Sequence, residues 1–172
     1  KRIATPVLDD GAKVRLEIHR LANEATGQRN QREVCAHPGA VVVLPFLDDN
    51  RILLIRTRRY AVGQILIELP AGTLEKGEPP INCAGRELLE ETGYEAKQWI
   101  HLTTAWPCIG YADERMEYFL ARGLIHRGSK LDEGEFLEVF ELSLSEAIEW
   151  IRLGKINDSK TIVGLFWLEK FL

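Results

Sequence analysis

No run in these 172 residues approaches the ~20 consecutive apolar positions that a membrane-spanning helix needs, and no tract is repeated or low in complexity. A helical membrane span and a repeat array are both excluded. Positive charge is scarce as well, with 22 Lys and Arg against 26 Asp and Glu and a formal net charge of −4. Nucleic-acid binding wants a clustered basic face for the phosphates, so an anionic ligand would have to bring its own cation. Cysteine occurs only at Cys35, Cys83 and Cys108, an odd number with no C-x-x-C pair, which argues against a disulfide framework. A reducing cytoplasm is the expected compartment, and no secretion-signal pattern opens the sequence. No Trp, Tyr or Phe occurs before Phe46, so an aromatic clamp on a nucleobase cannot come from that stretch.

What is present is ordinary globular composition, 45% hydrophobic and 28% charged. One domain is expected, burying roughly 70% of the surface of its unfolded chain. Val14, Leu16 and Ile18 alternate in KVRLEIHRL, the period of a half-buried strand, and NEATGQRNQ reads as the turn after it. AVVVLPFL and RILLIRTRR flank Asp48-Asp49-Asn50 and read as a central hairpin. RMEYFLARG and FLEVFELS read as further strands on either side of the acidic loop RGSKLDEGE. Ser143 with Glu146 is a capping-box pattern ahead of AIEWIRLGK, and TIVGLFWLEKFL has helical spacing. The class is α/β or α+β, with a mixed sheet between helices.

The most informative stretch is 72–94, GTLEKGEPPINCAGRELLEETGY. Pro79 and Pro80 suit the first turn of a helix, where a missing N–H is not needed, and Gly93 suits its C-terminal stop. At about 100° per residue, Ile81, Ala84 and Leu88 fall on one side while Glu87, Glu90 and Glu91 crowd an adjacent arc. Like charges so spaced cost a few tenths of a kcal/mol per pair, and an interior Gly85 costs about 1 kcal/mol against alanine. Accepting both penalties suggests a site, and hard oxygen donors in a cluster suit Mg²⁺ or Mn²⁺. The alternative is a solvated helix braced by Arg86 and Glu90 at i,i+4.

The complete spacing decides between these. Gly72, five residues, Glu78, seven residues, then Arg86-Glu87-Leu88-Leu89-Glu90-Glu91-Thr92-Gly93-Tyr94 resembles the Nudix box, G-x5-E-x7-R-E-U-x-E-E-x-G-U, with Tyr94 the one loose fit. HPGAVVVLPF, RTRRYAVGQILIELPAG and IGYADERMEYFLARG resemble segments of the ADP-ribose pyrophosphatase subgroup. Pro107 is displaced from that subgroup's usual S-P-G-F pattern, which weakens the substrate assignment and leaves the chemistry intact.

The resemblance implies an α/β/α sandwich with a mixed sheet (residues 39–172) and an N-terminal strand extension (residues 1–38) that pairs two subunits into a homodimer. It implies divalent-metal-dependent hydrolysis of ADP-ribose or a related nucleoside diphosphate sugar. GDP-mannose or another sugar nucleotide is one alternative, and a nucleotide sensor without hydrolysis is another. Carried over by position, Glu87, Glu91 and the carbonyl of Ala71 become the metal ligands, with Glu90 close by. Glu78 and Arg86 orient the helix between Gly72 and Gly93. Arg59 is the expected phosphate contact, with Arg58 beside it, and Arg32 and Glu33 are expected to touch the ligand from the N-terminal segment. Carboxylates that bind a cation make poor bases, so the base is expected in the acidic loop, Glu133 first and Glu135 second. Tyr60, Trp106 and Tyr111 are the candidates for stacking on the base, each equally readable as packing, and His19 and His37 read as structural.

Overall fold

The computed structural model describes residues 2–11, 14–47, 50–128 and 137–171. Its centre is strand β5 (Ala40–Pro45), buried at every position after four N-terminal strands have passed. Those are β1 (Arg2–Ala4), β2 (Val7–Asp10), β3 (Arg15–Ala22) and β4 (Arg29–Ala36), which form a sheet of their own around β3. The expected strand at 13–21 is therefore present as β3, and the turn expected over NEATGQRNQ is shorter, since β4 already starts at Arg29.

After β5 come β6 (Arg51–Arg59), β7 (Gln64–Glu68), β8 (Ala71–Thr73), helix α1 (Pro80–Thr92), β9 (Tyr94–Ala105), β10 (Met116–His126), β11 (Leu137–Ser143), α2 (Leu144–Arg152) and α3 (Ser159–Phe171). One sheet has the order β8-β5-β10-β9, with β10 parallel to β5 and antiparallel to β9, so it is mixed. The other has the order β11-β6-β7 and is antiparallel. β5 and β6 thus lie in different sheets, correcting the expected hairpin. One isolated bridge, Phe46 to Ile52, is all that joins them as a ladder among the described residues. Adjacent apolar runs suggested local pairing, but a strand that is apolar on both faces is better buried between two layers than on a hairpin with one wet face.

Alternation along β5 and β10 builds the layers. Val41, Val43, Phe119 and Ala121 turn to one side and pack with Cys83, Ala84 and Leu88 of α1. Val42, Leu44, Tyr118 and Leu120 turn to the other and pack with Ile52, Leu54, Leu69, Ala147, Leu165 and Leu168. A period of two thus serves two cores, giving the α/β/α sandwich. Among the described residues no helix is long and apolar enough to cross a membrane.

Helix α1 begins after Pro79 and ends at Gly93, whose φ of 74° is the left-handed cap. Its buried side consists of Cys83, Ala84, Leu88 and Thr92. Ile81, expected with them, is 39% exposed, so the buried face of the helix begins only at Cys83. The capping box at the start of α2 forms as expected, with Ser143 Oγ accepting from the Glu146 N–H and Glu146 from the Ser143 N–H.

Candidate active site

Arg86 organises the acidic face of α1. Its Nε and Nη2 donate to the two oxygens of Glu78 at 3.1 Å each, and its Nη1 donates to Glu87 at 2.7 Å and to Glu90 at 3.1 Å. Charge-assisted bonds contribute about 1.5–3 kcal/mol, several times the few tenths lost to like charges on one turn. The arginine therefore wins, and the acidic cluster is stable as built. Glu78 also accepts the Glu75 N–H at 3.0 Å. The guanidinium, helped by that N–H, holds the Glu78 carboxyl down at about 2, and Glu78 in turn raises the affinity of Arg86 for its proton.

Two residues just ahead of the helix shape the floor. A Cβ on Gly72 would stand 1.8 Å from the carboxyl carbon of Glu87, so only glycine leaves room for that carboxylate. Next to it the Ala71 N–H donates to Glu91 at 3.0 Å. Glu87, Glu90, Glu91, Gly72 and Ala71 are thus gathered at one place, where β8 meets α1.

The candidate donors expected from the sequence, three carboxylates and the Ala71 carbonyl, are oxygen only, which is the chemistry that Mg²⁺ or Mn²⁺ takes. Among the described residues no group of three or more His, Cys, Asp or Glu is gathered closely enough to hold a metal ion. Glu87 instead holds Arg86, and Glu91 the Ala71 N–H. The residues fit a hard cation by donor type, and to hold one their carboxylates would have to leave those two contacts and draw together around it.

Arg59 lies at the end of β6, and its Nε and Nη2 grip both oxygens of Glu68 at 2.7 Å each. Those bonds raise its proton affinity against the opposing effect of burial, and the charges of Glu91 and Asp158 add to them. Glu68 itself is 1% exposed. Burial pushes its carboxyl up, but the hydrogen bonds from Arg59 and the charge of Lys160 outweigh that, and it is held below the usual range. Lys160, on α3, donates to Glu68 and, at 2.9 Å, to Asp158. None of Glu68, Lys160 and Asp158 was singled out from the sequence. Glu68 was visible within E-L-P-A-G, but its partner lies 92 residues further on.

The other expected residues fall elsewhere. Arg58 is exposed at the end of β6, and Arg56 pairs with Glu138 at 2.9 Å over the ring of Phe140. Arg32 and Glu33 are exposed on β4, in the N-terminal sheet, which among the described residues shares no paired strand with the sheets that carry the box and Arg59. Glu133 and Glu135 lie outside the described residues. Tyr60, Trp106 and Tyr111 are all exposed. His19 pairs with Glu17 at 2.7 Å, and His37 accepts the Gly39 N–H at 3.1 Å.

Four similarities bear on what this arrangement is. Over 171 residues, 98% of this chain and 92% of the relative, the sequence is 38% identical to a methanol dehydrogenase activator of Bacillus methanolicus. Over 145 residues, 83% of this chain and 78% of the relative, it is 39% identical to an ADP-ribose pyrophosphatase of Bacillus subtilis. A crystal structure of an ADP compounds hydrolase superposes with a TM-score of 0.87 at 22% identity, covering 100% of this chain and 93% of that one, which shows the shared fold. The model of the NUDIX domain matches residues 36–163, and the chain belongs to that family.

Proposed function

We propose that this chain hydrolyses the pyrophosphate bond of ADP-ribose or a related nucleoside diphosphate sugar, with Mg²⁺ or Mn²⁺, giving a nucleoside monophosphate and a sugar phosphate. One observation carries this reading: a box helix with a surplus of carboxylates lies beside an arginine held by Glu68 at the end of β6. Glu87, Glu91 and the Ala71 carbonyl would hold the metal, with Glu90 close by. When bound, the ion supplies positive charge that offsets the phosphate oxygens and makes nearby water a better nucleophile. Arg59, with Arg58 beside it, binds and orients the phosphates, and Arg86 keeps the acidic face in place through Glu78. The water oxygen bonds to one phosphorus as the bridging P–O bond breaks, and its proton passes to Glu133 or Glu135.

The test is to incubate purified protein with ADP-ribose, GDP-mannose and related sugar nucleotides plus Mg²⁺ or Mn²⁺, and to follow products by phosphorus NMR. AMP and ribose 5-phosphate are expected from ADP-ribose, and failure to cleave any of the sugar nucleotides overturns the reading. A second reading, activation of a partner dehydrogenase, is supported by the activator's similarity over 98% of this chain. Product release with no second protein present separates the two.

We also propose that the N-terminal sheet joins two copies into a homodimer, with Arg32 and Glu33 reaching the partner's ligand. Support comes from its exposed apolar side chains, Val7, Leu8 and Leu16, with Val14 just ahead of β3, on an otherwise small sheet. Removing residues 1–31 should give a monomer with a raised KM. A truncated chain that still sediments as a dimer, or an intact chain that sediments as a monomer, would overturn it. The three free thiols support a reducing compartment, the cytoplasm.

A further inference from the structure

The first turn of α3 is tied to the strand that leads into the box. Thr161 Oγ1 accepts the Leu69 N–H at 2.8 Å, while Asp158 Oδ2 accepts the Thr161 N–H at 3.0 Å and the Thr161 hydroxyl at 2.6 Å. That carboxylate caps the helix and also holds the Lys160 ammonium at 2.9 Å. A Cβ on Gly164 would stand 2.6 Å from Leu69 Cδ1, so any larger residue there would have to displace the buried Leu69 side chain or the helix. Lys160 is thereby carried, nine-tenths buried, onto Glu68.

A buried lysine costs several kcal/mol to desolvate unless it is paired, and a fold of this size has many cheaper ways to close a helix start. Its position explains the expense. Glu68 takes two cations, and Arg59 occupies both of its oxygens with Nε and Nη2, leaving Nη1 and the outer edge of the guanidinium for another anion. Were Arg59 the sole partner of Glu68, the two charges would cancel and the guanidinium would attract phosphate weakly. With Lys160 taking part of the carboxylate's charge, and with Asp158, the other partner of Lys160, acting on Arg59 less than Glu68 does, Arg59 keeps a pull on an incoming anion while Glu68 still fixes its plane.

We infer that Lys160 is a positioning residue, acting through Glu68 to hold and polarise Arg59 for the substrate's diphosphate. The inference rests on the reading that Arg59 binds phosphate. It makes the first turn of α3 part of the substrate site without touching substrate.

The experiment compares wild type, Arg59→Ala, Lys160→Met and the double variant, reading KM, kcat and the calorimetric Kd for ADP-ribose, with thermal melts to verify folding. Lys160→Met should raise KM and Kd about 10-fold with kcat changed less than about threefold, and in the Arg59→Ala background it should add less than about twofold. Lys160→Arg should restore most of the affinity. Lys160→Gln keeps a hydrogen-bond donor without the charge and should behave as Lys160→Met, so it serves if the methionine variant does not fold. Wild-type affinity in both neutral variants beside a weakened Arg59→Ala overturns this inference alone, as does a full multiplication of the two effects in the double variant. Wild-type affinity in Arg59→Ala overturns the phosphate reading and this inference together.

Discussion

Arg86 is one guanidinium among three carboxylates, whereas Glu68 is one carboxylate between two cations. The first cluster is open at one end, with the Glu90 side chain 44% exposed, and counting Glu91 it is short of positive charge. The second is anchored on a carboxylate that is 1% exposed, with Arg59 reaching out from it to 44% exposure, and with Asp158 its charges balance. An unbalanced, partly wet cluster can accept an ion at little structural cost, because a cation relieves repulsion already present. A balanced cluster with its carboxylate and ammonium buried resists change and so can keep an exposed guanidinium aimed. One is built to take up charge and the other to hold geometry, and they meet where Arg59 feels Glu91.

The largest expected effect comes from breaking the open cluster. Glu91→Gln keeps size and helix propensity, and kcat should fall by at least about 10²-fold with the melting temperature little changed. A near-native rate at saturating Mg²⁺ would remove the box carboxylates from the chemistry. Glu133→Gln provides the contrast, a comparable loss in kcat with KM and metal affinity close to wild type; if both Glu133→Gln and Glu135→Gln kept kcat within about threefold, the base would lie elsewhere, with Glu90 next.

The smallest effect sharpens the comparison through pH. The carboxyl of Glu78 is lowered from the usual 4.5 to about 2 by Arg86. A lowered folded-state value means that this contribution is complete above pH 4.5 and is lost as pH falls towards 2. Urea midpoints should drop across that window, and Glu78→Gln should flatten the drop. Equal slopes for wild type and variant would show that the pair is not linked to folding.

The box was legible because its signals are local. Pro79, Pro80 and Gly93 mark the ends of α1, and the spacing of its acids falls within a few turns. Gly72 was legible as a motif position, but the reason for it, the approach of Glu87, appears only when β8 and α1 are packed. The hairpin expected around Asn50 failed because sheet membership depends on which layers cover a strand, and that is not written in the turn. β9 escaped notice because YEAKQWIHLTTA lies at a sheet edge and mixes exposed and covered positions, without a continuous apolar run. Lys160 gave no signal at all, since a single charge at the head of an apolar helix looks like a surface residue until its partner from β7 is seen.

The thiol of Cys83 lies fully buried under this assembly, donating to the Thr73 carbonyl at 3.6 Å with Arg86 at 3.3 Å from its sulfur. Burial, with the nearby Glu78 charge, pushes it up to about 12, so almost none is thiolate in neutral solution. Cys35 and Cys108 are only half-buried. An alkylating reagent therefore meets two accessible sulfurs and one that is sealed until α1 lifts from β8. The slow third alkylation, read by mass spectrometry, is an intrinsic clock for how often the catalytic helix comes away from its sheet.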